Sequence, residues 1–163
     1  MKKSTKKTSK TGLLPLCLAF IPLLAATLFF MPQFSRTILG SALKVNGFRL
    51  AFGFNDIVKV PGKGYVFISF LLSVLSAAML SAASFTKVPQ SRLRIIYIVT
   101  AVSALTCAIL LIVAVATIKD INYYKAILDV TKNGSFTAWI YIGIVLHFLT
   151  VIGCAVGFFK ARQ

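Results

Sequence analysis

Residues 95–118 read IIYIVTAVSALTCAILLIVAVATI, a stretch without a single charged side chain. A helix needs ~20 apolar residues to cross a bilayer, so this stretch is long enough to span one. Three further runs, residues 13–31, 65–85 and 136–159, have the same character. With 58% hydrophobic residues in a chain of 163, the apolar content exceeds what a soluble core of this size can bury. The sequence therefore predicts an all-α membrane protein, an antiparallel bundle of four transmembrane helices.

The first run follows a lysine-rich segment and so has the outline of a secretory signal peptide. Its apolar stretch is long for such a peptide. The small residues Ala25 and Ala26 are followed by the bulky residues 28–31, which is unlike the cleavage site of a signal peptide. We expect this run to remain as a span. The expected organisation is a polybasic tail, residues 1–12, and one transmembrane domain, residues 13–163, with outer loops at 32–64 and 119–135.

The distribution of charge indicates the orientation in the membrane. The chain has 18 Lys and Arg against three acidic residues, for a net charge of +15. The basic residues are densest in the tail, in the short link between the second and third spans, and after the fourth span. Because cytoplasmic segments carry an excess of Lys and Arg, we expect both termini on the cytoplasmic side of a plasma membrane.

A charge of this size can also indicate nucleic-acid binding. Here the basic residues flank apolar runs and form no basic face with interleaved aromatics, so we expect no nucleic-acid partner. The tail lysines are either a topology signal or a binding site for anionic lipid head groups, at ~1 kcal/mol per charge. They are Lys2, Lys3, Lys6, Lys7 and Lys10.

The first outer loop has the pattern of a small β-hairpin. Residues 41–45 and 48–52 flank Asn46-Gly47, a pair that readily adopts the positive φ values of a two-residue type I′ turn. An isolated hairpin is marginal in water, so we expect it to pack on the helix ends or on the second outer loop. In the second outer loop, the third helix is expected to continue beyond the bilayer and to give the hairpin a surface to pack on.

Small side chains recur along the second and fourth spans, where they let helix backbones approach closely. They either seal the bundle internally or dock a partner, and Thr100 and Ser103 on the third span have the same two interpretations. The stripe residues are Ser69, Ser73, Ala77 and Ser81 on the second span, and Gly153 and Gly157 on the fourth.

His147 is the only ionisable side chain deep within a predicted span, which makes it a candidate for a relay or ligand role. A neutral imidazole that forms hydrogen bonds inside the bundle is the alternative that we favour, because the spans contain no acid and no second histidine. The three acids, Asp56, Asp120 and Asp129, fall in the outer loops. We therefore expect no catalytic site, no metal site and no cofactor.

The layout of four spans, a larger first outer segment with β character, a short inner link and a long third helix resembles the claudin-type plan. That plan usually has a Trp-Gly-Leu-Trp-Cys-Cys signature in the first outer segment, where this chain has neither Trp nor Cys, so no residue role is implied. The stretch VNGFRLAFG, residues 45–53, also resembles small bacterial four-span proteins.

Three functions are compatible with this sequence. An accessory or scaffold subunit that binds another membrane protein or a second copy is favoured, because the spans have packing faces and almost no buried charge. A small transporter or channel, acting as a homo-oligomer, is the alternative, although only His147 and scattered Ser and Thr could line a pathway. A membrane enzyme is least favoured, since convergent acids, bases or metal ligands are missing.

Overall fold

The computed structural model describes residues 13–38, 41–55, 59–86, 88–117 and 134–161. Four of its helices are long and apolar enough to cross a membrane, so the predicted four-helix membrane bundle is confirmed. Proline interrupts none of α3, α4 and α5, whereas α1 contains Pro22 and continues as a 3-10 turn at Leu28–Phe30. The helices are α1 Leu13–Thr27, α2 Gly47–Phe52, α3 Gly64–Phe85, α4 Gln90–Thr117 and α5 Ala138–Lys160.

The four long helices form a closed ring in which α1 packs on α3, α3 on α4, α4 on α5, and α5 on α1. The link between α3 and α4 is short because Pro89 follows the end of α3 and starts the next helix. The Leu93 N–H donates to the Pro89 carbonyl at 3.0 Å, so α4 begins at Gln90, five residues earlier than the predicted start at 95. We call this end of the bundle the link end.

Five short strands lie at the opposite end, between α1 and α3 and directly before α5, and we call it the sheet end. β1 pairs antiparallel with both β2 and β5, in the order β2-β1-β5, while β3 pairs with β4. The second outer loop is thereby joined to the first, as Phe34 pairs with Phe136. The strands are β1 Pro32–Ile38, β2 Ser41–Asn46, β3 Gly53–Asn55, β4 Lys59–Pro61 and β5 Gly134–Phe136.

The predicted β-hairpin between the first and second spans is present, but its expected turn at Asn46-Gly47 is wrong. The hairpin strands are β1 and β2, joined through residues 39–40, and residues 47–52 form helix α2 instead of a second strand. Asn46 has an extended backbone (φ −82°, ψ 174°), and its side-chain oxygen accepts from the Arg49 N–H at 3.0 Å. Asn46 is therefore the N-cap of a helix, a role that this residue type fills as readily as a turn position.

Gly47 is needed for a different reason from the one expected. A type I′ turn requires positive φ, yet among the described glycines only Gly53 has it, at 76°. A Cβ on Gly47 would lie 2.6 Å from the carbonyl oxygen of Phe29, so the absence of a side chain permits a close approach between α2 and the end of α1. The first outer segment is thus held against the membrane helices at this glycine.

Two apolar clusters form the core, one near each end of the bundle. Leu50, Val66 and Ile140 belong to the cluster at the sheet end, which joins the outer segment to the helices. Leu80 and Tyr97 belong to the cluster at the link end. Residues of α3, α4 and α5 that lie between the two clusters are largely polar.

Glycines on α5 set how closely its neighbours approach. A Cβ on Gly157 would lie 2.6 Å from the ring of Tyr97, which is buried and cannot move aside easily. A Cβ on Gly143, by contrast, would be 3.6 Å from the Leu111 side chain, an ordinary contact. Both glycines are buried on α5, but of the two only Gly157 is sterically required.

Gly157→Ala should therefore lower the free energy of unfolding by about 1–3 kcal/mol, the usual cost of overpacking a core. Gly143→Ala should be neutral or slightly stabilising, because alanine favours helix formation over glycine. Reversible unfolding in mixed detergent micelles measures both. An equal loss in the two variants would contradict the assigned contact between α4 and α5.

Candidate functional site

A layer of polar side chains crosses the middle of the bundle between the two apolar clusters. α1 contributes none of them, since its buried residues at this level are Pro22, Ala25 and Ala26. We call the following set the polar layer: Ser69, Ser73 and Ser76 on α3, Thr100, Ser103 and Cys107 on α4, and His147 and Thr150 on α5.

His147 lies at the centre of this layer and is only 2% exposed. Its Nε2 is 3.3 Å from the hydroxyl oxygen of Ser73 on α3. The Ser73 hydroxyl has a single proton, which it donates to the Ser69 carbonyl at 2.7 Å. The imidazole must then donate from Nε2, so this assignment of hydrogens places the ring proton on Nε2 and leaves Nδ1 as an acceptor.

Cys107 completes a link among three helices. Its thiol donates to the same Ser69 carbonyl at 3.3 Å, and its sulfur lies 3.8 Å from the Ser73 hydroxyl. The Ser69 hydroxyl in turn points to the Cys107 carbonyl at 3.5 Å. α3 is therefore bonded to α4 through Cys107 and to α5 through His147. Cross-helix bonds of this kind average ~0.6 kcal/mol in membrane proteins.

Four polar atoms of the layer have no hydrogen-bond partner within the described part of the chain. They are Nδ1 of His147 and the hydroxyl oxygens of Ser76, Thr100 and Ser103. Thr150 differs, because its hydroxyl donates to the Leu146 carbonyl one turn earlier. The layer is thus only partly satisfied by its own members.

A cavity of about 20 Å³ lies beside the layer, on the side of the sheet end. His147, Ser69 and Ser73 line it at its polar side, and Gln33 and Trp139 line it toward the strands. Its volume is roughly that of one water molecule, and a larger solute does not fit. Gln33 is buried, and its side-chain amide donates to the Leu28 carbonyl at the end of α1.

Most positions of the predicted small-residue stripes lie at contacts between helices, and one lies at the edge of such a contact. Ser69, Ser73 and Ala77 are buried, whereas Ser81 is only half-buried. A Cβ on Gly153 would meet the Leu18 side chain of α1, so this glycine faces the neighbouring helix. Gly157 faces Tyr97 of α4, as described above. The stripe positions other than Ser81 thus point into the bundle.

Ser76 and Gln33 were missed by the sequence analysis. The stripe was assigned with a period of four, whereas an α-helix repeats every 3.6 residues. At that period Ser76 lies about 20° from Ser69 around the helix, and Ser81 lies about 120° away. The helical period of 3.6 residues, applied to the same stripe, would have identified Ser76. Gln33 lies in strand β1 rather than in a span, and no sequence pattern indicated its burial.

Other predicted groups lie outside the described residues. These are the tail lysines Lys2, Lys3, Lys6, Lys7 and Lys10, the three acids, and the expected overhang of the third helix beyond Thr117. Among the residues that are described, no group of three or more His, Cys, Asp or Glu is arranged to hold a metal ion.

No protein-family model and no curated protein matches this chain. The polar layer offers one imidazole, one thiol and several hydroxyls, without a carboxylate or a second imidazole among the described residues to exchange a proton with His147. Its evident action is to bond three helices together.

A double-mutant cycle measures this link directly. Ser73→Ala and His147→Phe should show a coupling energy of about 0.6–1.7 kcal/mol in unfolding experiments, the range found for membrane-buried hydrogen bonds. Thr106→Ala is the matched control, since the Thr106 hydroxyl donates only to the Val102 carbonyl of its own helix. A coupling for Ser73 no larger than for Thr106 would show that the hydrogen bond does not form.

Proposed function

We propose that this integral membrane protein is a non-enzymatic accessory or scaffold subunit, which binds a larger membrane protein through its helix faces and outer segments. The single observation that carries this proposal is the narrow, hydrogen-bonded interior. The polar layer bonds α3, α4 and α5 together, and the cavity beside it has room for about one water molecule. A bundle of this kind acts as a rigid body that other proteins can pack against.

The helix faces differ in how much they are covered by the bundle itself. Each membrane-spanning helix contains an apolar stretch of 18 residues, and the buried share of that stretch is 28% in α4 and in α5, 39% in α3 and 44% in the first span. Val102 on α4 and Val145 on α5 are among the exposed apolar residues. A membrane helix of a partner can replace lipid on this wide α4–α5 face, where van der Waals packing drives association.

The sheet end supplies a second surface. β2 is an edge strand of the β2-β1-β5 sheet, and an edge strand can pair with a strand from another chain. Lys44 on β2 is exposed and favours a partner with negative charge. The sheet is fixed to the bundle, because the Thr137 N–H donates to the Gln33 carbonyl at 2.9 Å. The outer segment is therefore a firm platform for such a contact.

The relation to claudin-type proteins is part of this proposal. The features that support it are the β-containing segment between the first two spans and the short link between α3 and α4. Both belong to the layout on which the resemblance rests. The relation to small bacterial four-span proteins is proposed on the sequence stretch of residues 45–53 alone.

A transporter or channel, built as a homo-oligomer, is the second candidate. The unpartnered polar atoms of Ser76, Thr100, Ser103 and His147 favour it, because buried polar groups in a membrane commonly mark a pathway. For this candidate, His147→Phe should abolish transport; unchanged transport in that variant removes the relay role of His147.

Tagged protein extracted in a mild detergent tests the scaffold proposal. We expect a larger membrane protein to co-purify in fixed stoichiometry, and Val145→Trp to reduce its yield about tenfold, which corresponds to about 1.4 kcal/mol. Leu71→Trp on α3 is the matched control. Both residues lie seven positions from the start of their helices at the sheet end, and they are 55% and 49% exposed.

The partner should remain bound to the Leu71→Trp variant. Equal loss in both variants would contradict docking through the α4–α5 face. A homo-oligomer that conducts ions in liposomes would favour the channel, and a monomer without any partner would contradict both candidates.

We also propose that both termini are cytoplasmic, supported by the density of basic residues in the tail, the link and the C-terminus. Lys44→Cys, at the sheet end, should react with a membrane-impermeant maleimide on intact cells. Thr86→Cys, at the link end, should react only after permeabilisation. The unmodified chain gives the background from its free Cys17, Cys107 and Cys154, and the reverse pattern would invert the topology.

A further inference from the structure

An open pocket of about 450 Å³ lies at the link end, where α3 ends and α4 begins. It is far larger than the cavity beside the polar layer and lies at the opposite end from the strands. Among the described residues, one charged side chain and several apolar ones form its wall. Its lining residues are Thr86, Val88, Pro89, Arg92, Ile95 and Ile96.

Arg92 and Arg94 are close in sequence but differ in what they bind. Arg94 donates from Nε and from one terminal nitrogen to the Ala161 carbonyl, at 3.0 and 2.9 Å, and so joins α4 to the end of α5. Arg92 lies about 200° away around α4, on the other side of the helix, where it lines the pocket and is exposed. The charge of Arg94 supports the fold, whereas that of Arg92 faces the pocket.

The described residues include no carboxylate side chain that could neutralise Arg92. The three acids of the chain are Asp56, Asp120 and Asp129, and the first and second outer loops that contain them connect to the helices at the sheet end. Within the described part of the chain Arg92 thus has no acidic partner, so an anion from another molecule can pair with it. Guanidinium groups bind phosphate with two parallel hydrogen bonds, which makes phosphate a well-matched partner.

The rest of the wall is apolar. Ile95 is 60% exposed, and Ile96 and Val88 are half-buried. The hydroxyl of Thr86 already donates to the Ala82 carbonyl at 2.7 Å. A ligand that fits must therefore present an anion to Arg92 and a hydrocarbon surface to the isoleucines, which a free phosphate ion does not do.

The position of the pocket indicates which kind of amphipathic anion is available to bind there. It lies at the ends of two membrane-spanning helices, and lipid head groups occupy this level of a bilayer. Basic pockets between transmembrane helices are known to bind anionic head groups. We propose that this pocket binds an anionic phospholipid, whose phosphate contacts Arg92 and whose acyl chain covers Ile95. The site is separate from the tail lysines and does not depend on the scaffold proposal.

Native mass spectrometry of the full chain, released from nanodiscs, tests the site. With equal phosphatidylglycerol and phosphatidylcholine in the nanodiscs, the unmodified protein should retain phosphatidylglycerol selectively. Arg92→Gln should weaken this retention about five- to tenfold, since one charge at the surface contributes ~1 kcal/mol and the pocket holds its ligand more closely. The control is Lys160→Gln, which removes one exposed charge at the same end of the bundle outside the pocket and should retain the lipid.

Ile95→Trp is the second variant, because it fills the pocket and keeps the charge of Arg92. Phosphatidylglycerol retention should fall here as well, with unfolding temperatures close to that of the unmodified protein. Millimolar inorganic phosphate should not displace the lipid. The proposal is overturned if Arg92→Gln and Lys160→Gln lose lipid equally, if phosphatidylcholine is retained equally well, or if inorganic phosphate competes fully.

Discussion

The bundle depends on one constraint: polar groups inside a lipid-immersed protein must find their partners within the protein. Ser73, Cys107 and His147 meet this constraint across three helices: the Ser73 hydroxyl and the Cys107 thiol both donate to the Ser69 carbonyl, and His147 is bonded to the Ser73 hydroxyl. These bonds require α3, α4 and α5 to keep a fixed rotation and depth relative to one another. The apolar clusters on either side fix packing distances, as between Gly157 and Tyr97, whereas directional bonds are added by the polar layer. It therefore specifies the register of the bundle, while the clusters supply most of its packing.

The spans could be predicted from sequence because their length and apolar character are properties of single segments. The turn at Asn46-Gly47 could not, because the same pair is favoured both in a hairpin turn and at a helix start. The choice between them depends on Phe29, which is distant in sequence and whose backbone lies against Gly47. Turn propensity is a local signal, and here a contact between α1 and α2 decides the structure.

The same contrast between local sequence signals and contacts of distant residues applies to the candidate site. The stripe on α3 and the lone His147 were evident in the sequence, so most members of the polar layer could be predicted. Their pairing could not, because it depends on how α3 and α5 are rotated toward each other. The strict period of four also selected Ser81 instead of Ser76, an error that grows with every turn of a helix whose true period is 3.6. The three-residue strand β5 is too short to have a hydrophobic period of its own.

The two ends of the bundle are closed by the same kind of interaction, a side chain that donates to a backbone carbonyl at an element's end. At the sheet end, Gln33 donates to Leu28 and Thr137 to Pro32. At the link end, Arg94 donates to Ala161. Helix ends leave carbonyls without partners, and the contact from Arg94 satisfies one of them, whereas the Leu28 carbonyl also accepts from the Met31 N–H. With its interior and ends occupied in this way, the described part of the protein can engage other molecules mainly from the side: through the apolar α4–α5 face, along the edge of β2, and at the pocket where Arg92 has no acidic neighbour.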